Sequence, residues 1–126
     1  MYKTYGELAA FFIVYIREAH AADSNWPTGY AISEQINEPT TFPERCGLTE
    51  RLIEQGKLTL PSLVDGMNNA TNAAYSAHPT RAFLVNTDGR LALAGDEGPW
   101  GLKPALDEID RWLAEFKLTG VEPPMK

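Results

Sequence analysis

The hydrophobic positions of this chain fall into short runs divided by polar, proline-marked and glycine-marked breaks, a pattern that predicts alternating helices and strands. Tyr2, Tyr5 and Leu8 or Ala9 recur at helical spacing, and Gly6 stands where a helix stops, so residues 2–8 read as the last turns of a helix. Residues 11–16 are continuously apolar and rich in β-formers, as expected of a strand buried on both faces of a parallel sheet. Residues 28–43 are polar and lack a period, which predicts an irregular excursion with a short strand near Ala31 and Ile32. Pro43 and Glu44 open a helix that points Leu48, Leu52 and Ile53 inward and stops at Gly56. A short strand over residues 62–65 and a brief Ala-rich helix over 69–75 follow.

The last third is the most regular. Two apolar runs, residues 82–85 and 91–94, flank Asn86-Thr87-Asp88-Gly89, and an Asp-Gly between such runs signals a hairpin. Pro104 lies near the first turn of a final helix whose apolar stripe is Leu106, Ile109, Leu113 and Phe116, with Trp112 alongside. The proline-rich ending, residues 121–126, reads as a frayed tail.

Composition narrows the function classes. A chain of 126 residues, 44% hydrophobic and 22% charged, fits one domain with its own core. A formal net charge of −6 without a basic cluster argues against a nucleic-acid partner. The apolar run at residues 8–16 is too short to span a bilayer, and Arg17 and Glu18 follow it rather than a small-residue cleavage site. No membrane partner is expected and the location reads as cytoplasmic, with an exported precursor that has lost its leader as the alternative.

Cys46 is the single cysteine, so there is no CxxC pair, and it reads as a structural thiol on a helix. His20 and His78 lie far apart without a ligand cluster, and Gly95, Gly98 and Gly101 form neither a dinucleotide fingerprint nor a P-loop. No metal or cofactor is expected. Asp65 reads as a strand end and Asp88 as a turn residue.

Several motifs in order carry a family resemblance. Val14-Tyr15-Ile16-Arg17-Glu18-Ala19-His20, followed by Asp23 and Trp26, resembles the signature of the iodothyronine deiodinases. Gly98-Pro99-Trp100 after the hairpin is similar to their late Gly-Pro-aromatic motif, and Pro39-Thr40-Thr41 with Glu44-Arg45 is similar to bacterial deiodinase-like proteins. The likeness runs from Tyr2 to Phe116.

The resemblance implies an α/β, thioredoxin-like three-layer fold over residues 1–118, lacking the first strand and most of the first helix, with 119–126 as a tail. Pro79 occupies the place of a proline that is typically cis in that superfamily, so a cis His78–Pro79 bond is expected. Independently, a proline beside a central strand belongs at its start. The implied catalytic residues are His20, which would donate to or polarise a substrate group beside the chalcogen, and Glu18, which would orient it. Imidazole suits that task because its ordinary pKa is about 6.5. A loop histidine capping a backbone carbonyl is the structural alternative. The implied substrate-binding residues are Tyr15, Trp26, Pro79 and Thr80. Trp100 could join Tyr15 and Trp26 in an aromatic slot, although Tyr15 is better explained by packing within its strand.

Two departures from the family stand out. Asp23-Ser24-Asn25-Trp26 is one residue longer than the family's Asp-Gly-Trp, and the chain starts inside the helix that follows the family's selenocysteine or cysteine. The expectation is therefore a thiol- or selenol-dependent reductase in ancestry, attacking a halogen, peroxide or disulfide, but inactive as this chain. A non-catalytic binding or assembly protein is the alternative. The expected partners are a small molecule or a thiol and a second copy of the chain. The dimer follows because residues 11–16 and 82–85 would flank a missing central strand, leaving backbone groups to be satisfied.

Overall fold

Strands β1 (Ile13–Tyr15) and β2 (Ser62–Val64) run parallel, with Ile13, Val14 and Tyr15 opposite Ser62, Leu63 and Val64. Two further backbone bonds extend the ladder at its ends, Ile13 N–H to the Pro61 carbonyl (3.0 Å) and Asp65 N–H to the Tyr15 carbonyl (2.8 Å). The computed structural model describes residues 1–18 and 36–124, a mixed α/β chain that divides into two units. One unit comprises residues 11–78; the other comprises residues 1–10 and 79–126. The strand expected near Ala31 and Ile32 lies outside the described residues.

In the first unit, α2 (Phe42–Gly56) connects β1 to β2 and packs against β2. Its start is built by side chains. The Thr41 hydroxyl accepts the Glu44 N–H (3.3 Å), while the Glu44 carboxylate accepts the Thr40 N–H (2.8 Å) and hydroxyl (3.2 Å). That is close to a capping box, shifted outward by one residue. The helix stops at Gly56, as expected, and Lys57 after it takes the left-handed conformation (φ 50°). The Lys57 and Leu58 N–H groups then return to the Glu54 and Ile53 carbonyls. After β2 comes α3 (Ala70–Tyr75), a helix of six residues.

This unit buries polar groups rather than an apolar stripe. Among its described residues the fully buried ones are Pro39, Arg45, Thr49 and Asp65. Leu48 and Ile53 are half-buried, and Leu52, expected to point inward, is exposed because Arg45 and Thr49, one turn apart, occupy the inner face of α2. Residues 11–16 were expected to be a strand buried on both faces. Only residues 13–15 pair, and Phe12 and Val14 are exposed, since a period-2 strand turns alternate side chains to the open face.

The second unit holds the apolar core: Tyr5, Ala92, Leu93, Ala105, Ile109, Trp112 and Leu113. It contains α1 (Tyr2–Tyr5), the antiparallel hairpin β3 (Phe83–Val85) and β4 (Leu91–Ala94), and α4 (Leu102–Thr119), which packs on β4. The hairpin turns through residues 86–90 with Gly89 at φ +83°, a conformation open to glycine at no steric cost. The register shifts between Leu84 and Val85, which pair with Leu93 and Leu91 and leave Ala92 as the extra residue on β4. The buried stripe of α4 is Ala105, Ile109, Trp112 and Leu113; Leu106, expected inside, is exposed because the stripe is rotated by one residue onto Ala105. Burying Ile109 and Leu113 contributes about 1.5–3 kcal/mol each. The ending is tied down at Glu122, whose carboxylate accepts the Thr87 N–H (3.1 Å) and hydroxyl (2.6 Å).

One backbone expectation fails. Among the described residues the cis peptide bond is Gly98–Pro99, and His78–Pro79 is trans, the form an X–Pro bond prefers by about 0.5–1 kcal/mol. No described helix is long and apolar enough to cross a membrane.

Candidate functional site

Glu18 leaves the carboxyl end of β1, the end of an open α/β sheet at which ligands ordinarily bind. Its backbone N–H donates to Glu38 Oε2 at 3.1 Å. The other carboxylate oxygen of Glu38 lies 3.5 Å from Arg45 Nη2. Arg45 is only 1% exposed, and its Nη1 donates to the carbonyls of Asp65 (3.3 Å) and Gly66 (2.8 Å), just past the carboxyl end of β2. A buried guanidinium is tolerated here because carbonyls and a carboxylate surround most of its donors, although Nε has no partner among the described residues.

Asp65 completes the cluster. Its carboxylate accepts the N–H groups of Thr71 (3.0 Å) and Asn72 (2.9 Å), capping α3 from a position before its N-cap residue Asn69. Burial pushes its pKa up, but hydrogen bonds from the backbone of Asn72 and Thr71, the Thr71 side chain and the Gly66 N–H outweigh this. The carboxyl is held below the ordinary aspartate value. The reading of Asp65 as a strand end therefore understates it: the side chain carries the start of a helix.

Of the residues expected at the site, Tyr15 ends β1 half-buried and Glu18 follows it in the same unit. His20 and Trp26 lie outside the described residues. Arg17 Nε makes a long hydrogen bond to His78 Nδ1 (3.4 Å) within that unit. Pro79 and Thr80 belong to the other unit, where they precede β3, and the Thr80 carbonyl accepts the Gly98 N–H at 2.7 Å. Beside them Arg81 donates from Nε to the Gly95 carbonyl (2.7 Å), with its guanidinium 5.1 Å above the Phe83 ring. Trp100 is 89% exposed. Cys46 is a free, half-buried thiol on α2, and no described group of three His, Cys, Asp or Glu residues could hold a metal.

Sequence reasoning did not assign Glu38 and Arg45 to the site. The available signal was the run Pro39-Thr40-Thr41…Glu44-Arg45, which reads first as a helix start and only in three dimensions as the support of β1's exit.

The family model for iodothyronine deiodinase matches residues 1–117. The chain is 34% identical over 100 residues to the type I iodothyronine deiodinase of Xenopus laevis, covering 79% of this chain and 38% of that protein. It is 33% identical over 119 residues to the thyroxine 5-deiodinase of Sparus aurata, covering 90% of this chain and 40% of the relative. With the type II iodothyronine deiodinase of Aquarana catesbeiana it shares 31% identity over 131 residues, 97% of this chain and 48% of the relative. The chain thus spans less than half the length of these curated relatives. The match runs through the parallel pair, the Glu18 exit, the hairpin and all but the end of α4, and with it the chain belongs to the iodothyronine deiodinase family.

Proposed function

We propose that this chain carries the acid–base and substrate-binding part of a thiol- or selenol-dependent reductase of the deiodinase type, built on a thioredoxin-like three-layer arrangement. The observation that carries the reading is the family match over residues 1–117, which includes the run from Val14 to His20 at the carboxyl end of β1. In this reading a chalcogenolate attacks the halogen of an aryl halide, the carbon–halogen bond breaks, and the carbon takes a proton from His20, which Glu18 orients. A thiol then releases the halogen as halide from the chalcogen, and a second thiol closes a disulfide. A peroxide or a disulfide is reduced by the same attack on oxygen or sulfur. Tyr15 and Trp26 contact the substrate.

The chain's one thiol, Cys46, lies half-buried on α2. That favours a second reading, a non-catalytic binding or assembly protein. The exposed apolar face of the β1–β2 ladder supports self-association in either case. Binding tests the first reading. Titration with an iodinated thyronine, a hydroperoxide and a small disulfide, followed by tryptophan fluorescence and calorimetry, is expected to show saturable binding that Tyr15→Ala or Trp26→Ala weakens. Binding of none of the three would leave the assembly reading.

A further inference from the structure

The carboxyl ends of β1 and β2 are joined by side chains as well as by their own ladder. Glu38 reaches one end, accepting the Glu18 N–H, and Arg45 reaches the other, donating to the Asp65 and Gly66 carbonyls. The Glu38–Arg45 contact, 3.5 Å long, closes the bracket. Both members are held from behind. Pro39, next to Glu38, is buried, and the Thr40–Thr41–Glu44 hydrogen bonds fix the turn between Glu38 and α2. Arg45 is fixed by its burial on the inner face of that helix, one turn from Thr49, whose hydroxyl donates to the Arg45 carbonyl (2.9 Å).

We propose that Glu38 and Arg45 are positioning residues for Glu18: they set where the chain departs from β1 relative to the end of β2. Arginine fits this role because one planar group presents separate donors to two carbonyls and a carboxylate. Glutamate fits because a carboxylate accepts on both oxygens, and its bond to a backbone N–H is charge-assisted. The consequence for chemistry rests on the reductase reading above; the bracket itself does not.

The test uses the 126-residue chain labelled with nitrogen-15 and carbon-13. As pH falls, the Glu18 amide proton is expected to shift upfield in step with protonation of Glu38, followed at its carboxyl carbon. In Glu38→Gln that linked shift disappears, and the Glu18 amide exchanges with solvent roughly tenfold faster or more, as loss of a bond to a charged acceptor implies. The Thr71 and Asn72 amides, held by Asp65, keep their exchange rates, which a general loosening of the unit would not allow. Arg45→Lys retains a weakened linkage. A Glu18 amide indifferent to Glu38 in the wild-type titration overturns the proposal without recourse to any variant. Uniform acceleration at Glu18, Thr71 and Asn72 overturns it too, since Glu38 would then act on stability alone. An intact bracket in a chain that binds none of the three substrate classes overturns the reductase reading and leaves the bracket standing.

Discussion

Val14 and Leu63 are partners in the parallel ladder, and both are open to solvent, at 38% and 51%. Parallel sheets are ordinarily covered on both faces, because their strands carry apolar side chains throughout. Here Phe12 is exposed as well, and Phe42, Leu52, Met67 and Tyr75 of the same unit are also open. Such a unit exposes what a core would bury.

A second copy of the chain is the expected cover. Sedimentation velocity at micromolar concentration should give a dimer, and Leu63→Lys should shift it toward monomer by setting a charge in the apolar face. A wild-type chain that sediments as a monomer across that range would refute this.

Asp65 should make stability depend on acid. Its carboxyl is held below the ordinary value when folded, so its contribution is fully present above the unfolded pKa and is lost as pH falls through the folded one. At neutral pH, Asp65→Asn should cost about 1–3 kcal/mol, the range for leaving buried amide donors poorly satisfied. The difference between the denaturant curves of wild type and variant should start to shrink near about pH 4, where the unfolded aspartate protonates, and should close only once pH has fallen through the lower folded pKa. A constant difference from neutral to strongly acid pH would show that the carboxylate charge plays no part.

The hairpin and α4 were legible from the residues because their signals are local: an Asp-Gly turn between apolar runs, then an apolar stripe at helical spacing. The inward residues of α2 were not. Periodicity nominates Leu48, Leu52 and Ile53, whereas the buried positions are Arg45 and Thr49, and the partners of Arg45 are the Asp65 and Gly66 carbonyls, 20 and 21 residues away. Nothing local in the sequence announces such a pairing. Leu106 was misjudged for a milder reason: a stripe read from large side chains alone overlooks Ala105, and that alanine sets the close approach to the Gly95 position. At the candidate site, the Glu18 exit was legible through motif order, while its support by Glu38 depends on contacts across the unit.

Gly98 should tolerate no side chain while Thr80 is present. A Cβ at Gly98 would collide with Thr80 Cγ2 and lie 3.1 Å from the Thr80 carbonyl oxygen. Gly98→Ala should therefore cost about 1–3 kcal/mol, the usual range for overpacking. Thr80→Ser removes the colliding methyl, so the double variant should be much less destabilised, relative to Thr80→Ser alone, than Gly98→Ala is relative to wild type. Additive losses in thermal unfolding would mean that the carbonyl, not the methyl, is the obstacle.

The 126-residue chain on its own should catalyse no reductive deiodination, peroxide reduction or disulfide reduction. The proposed reaction needs a chalcogen that can reach the substrate as an anion, and the chain contains one thiol. That thiol, Cys46, follows Arg45 in the second turn of α2 and is half-buried. It has no second cysteine with which to resolve an oxidised intermediate, so even a single attack would depend on external thiol for each cycle. Assays for iodide release from an iodothyronine and for thiol-dependent consumption of peroxide and disulfide should stay at the rate of the reductant alone. Cys46→Ser should change nothing in them. Turnover well above that background, abolished by Cys46→Ser and preserved in Glu18→Gln, would make Cys46 the nucleophile and displace the exit of β1 as the centre of the chemistry. Turnover lost in both variants would instead unite the α2 thiol with Glu18 in one site.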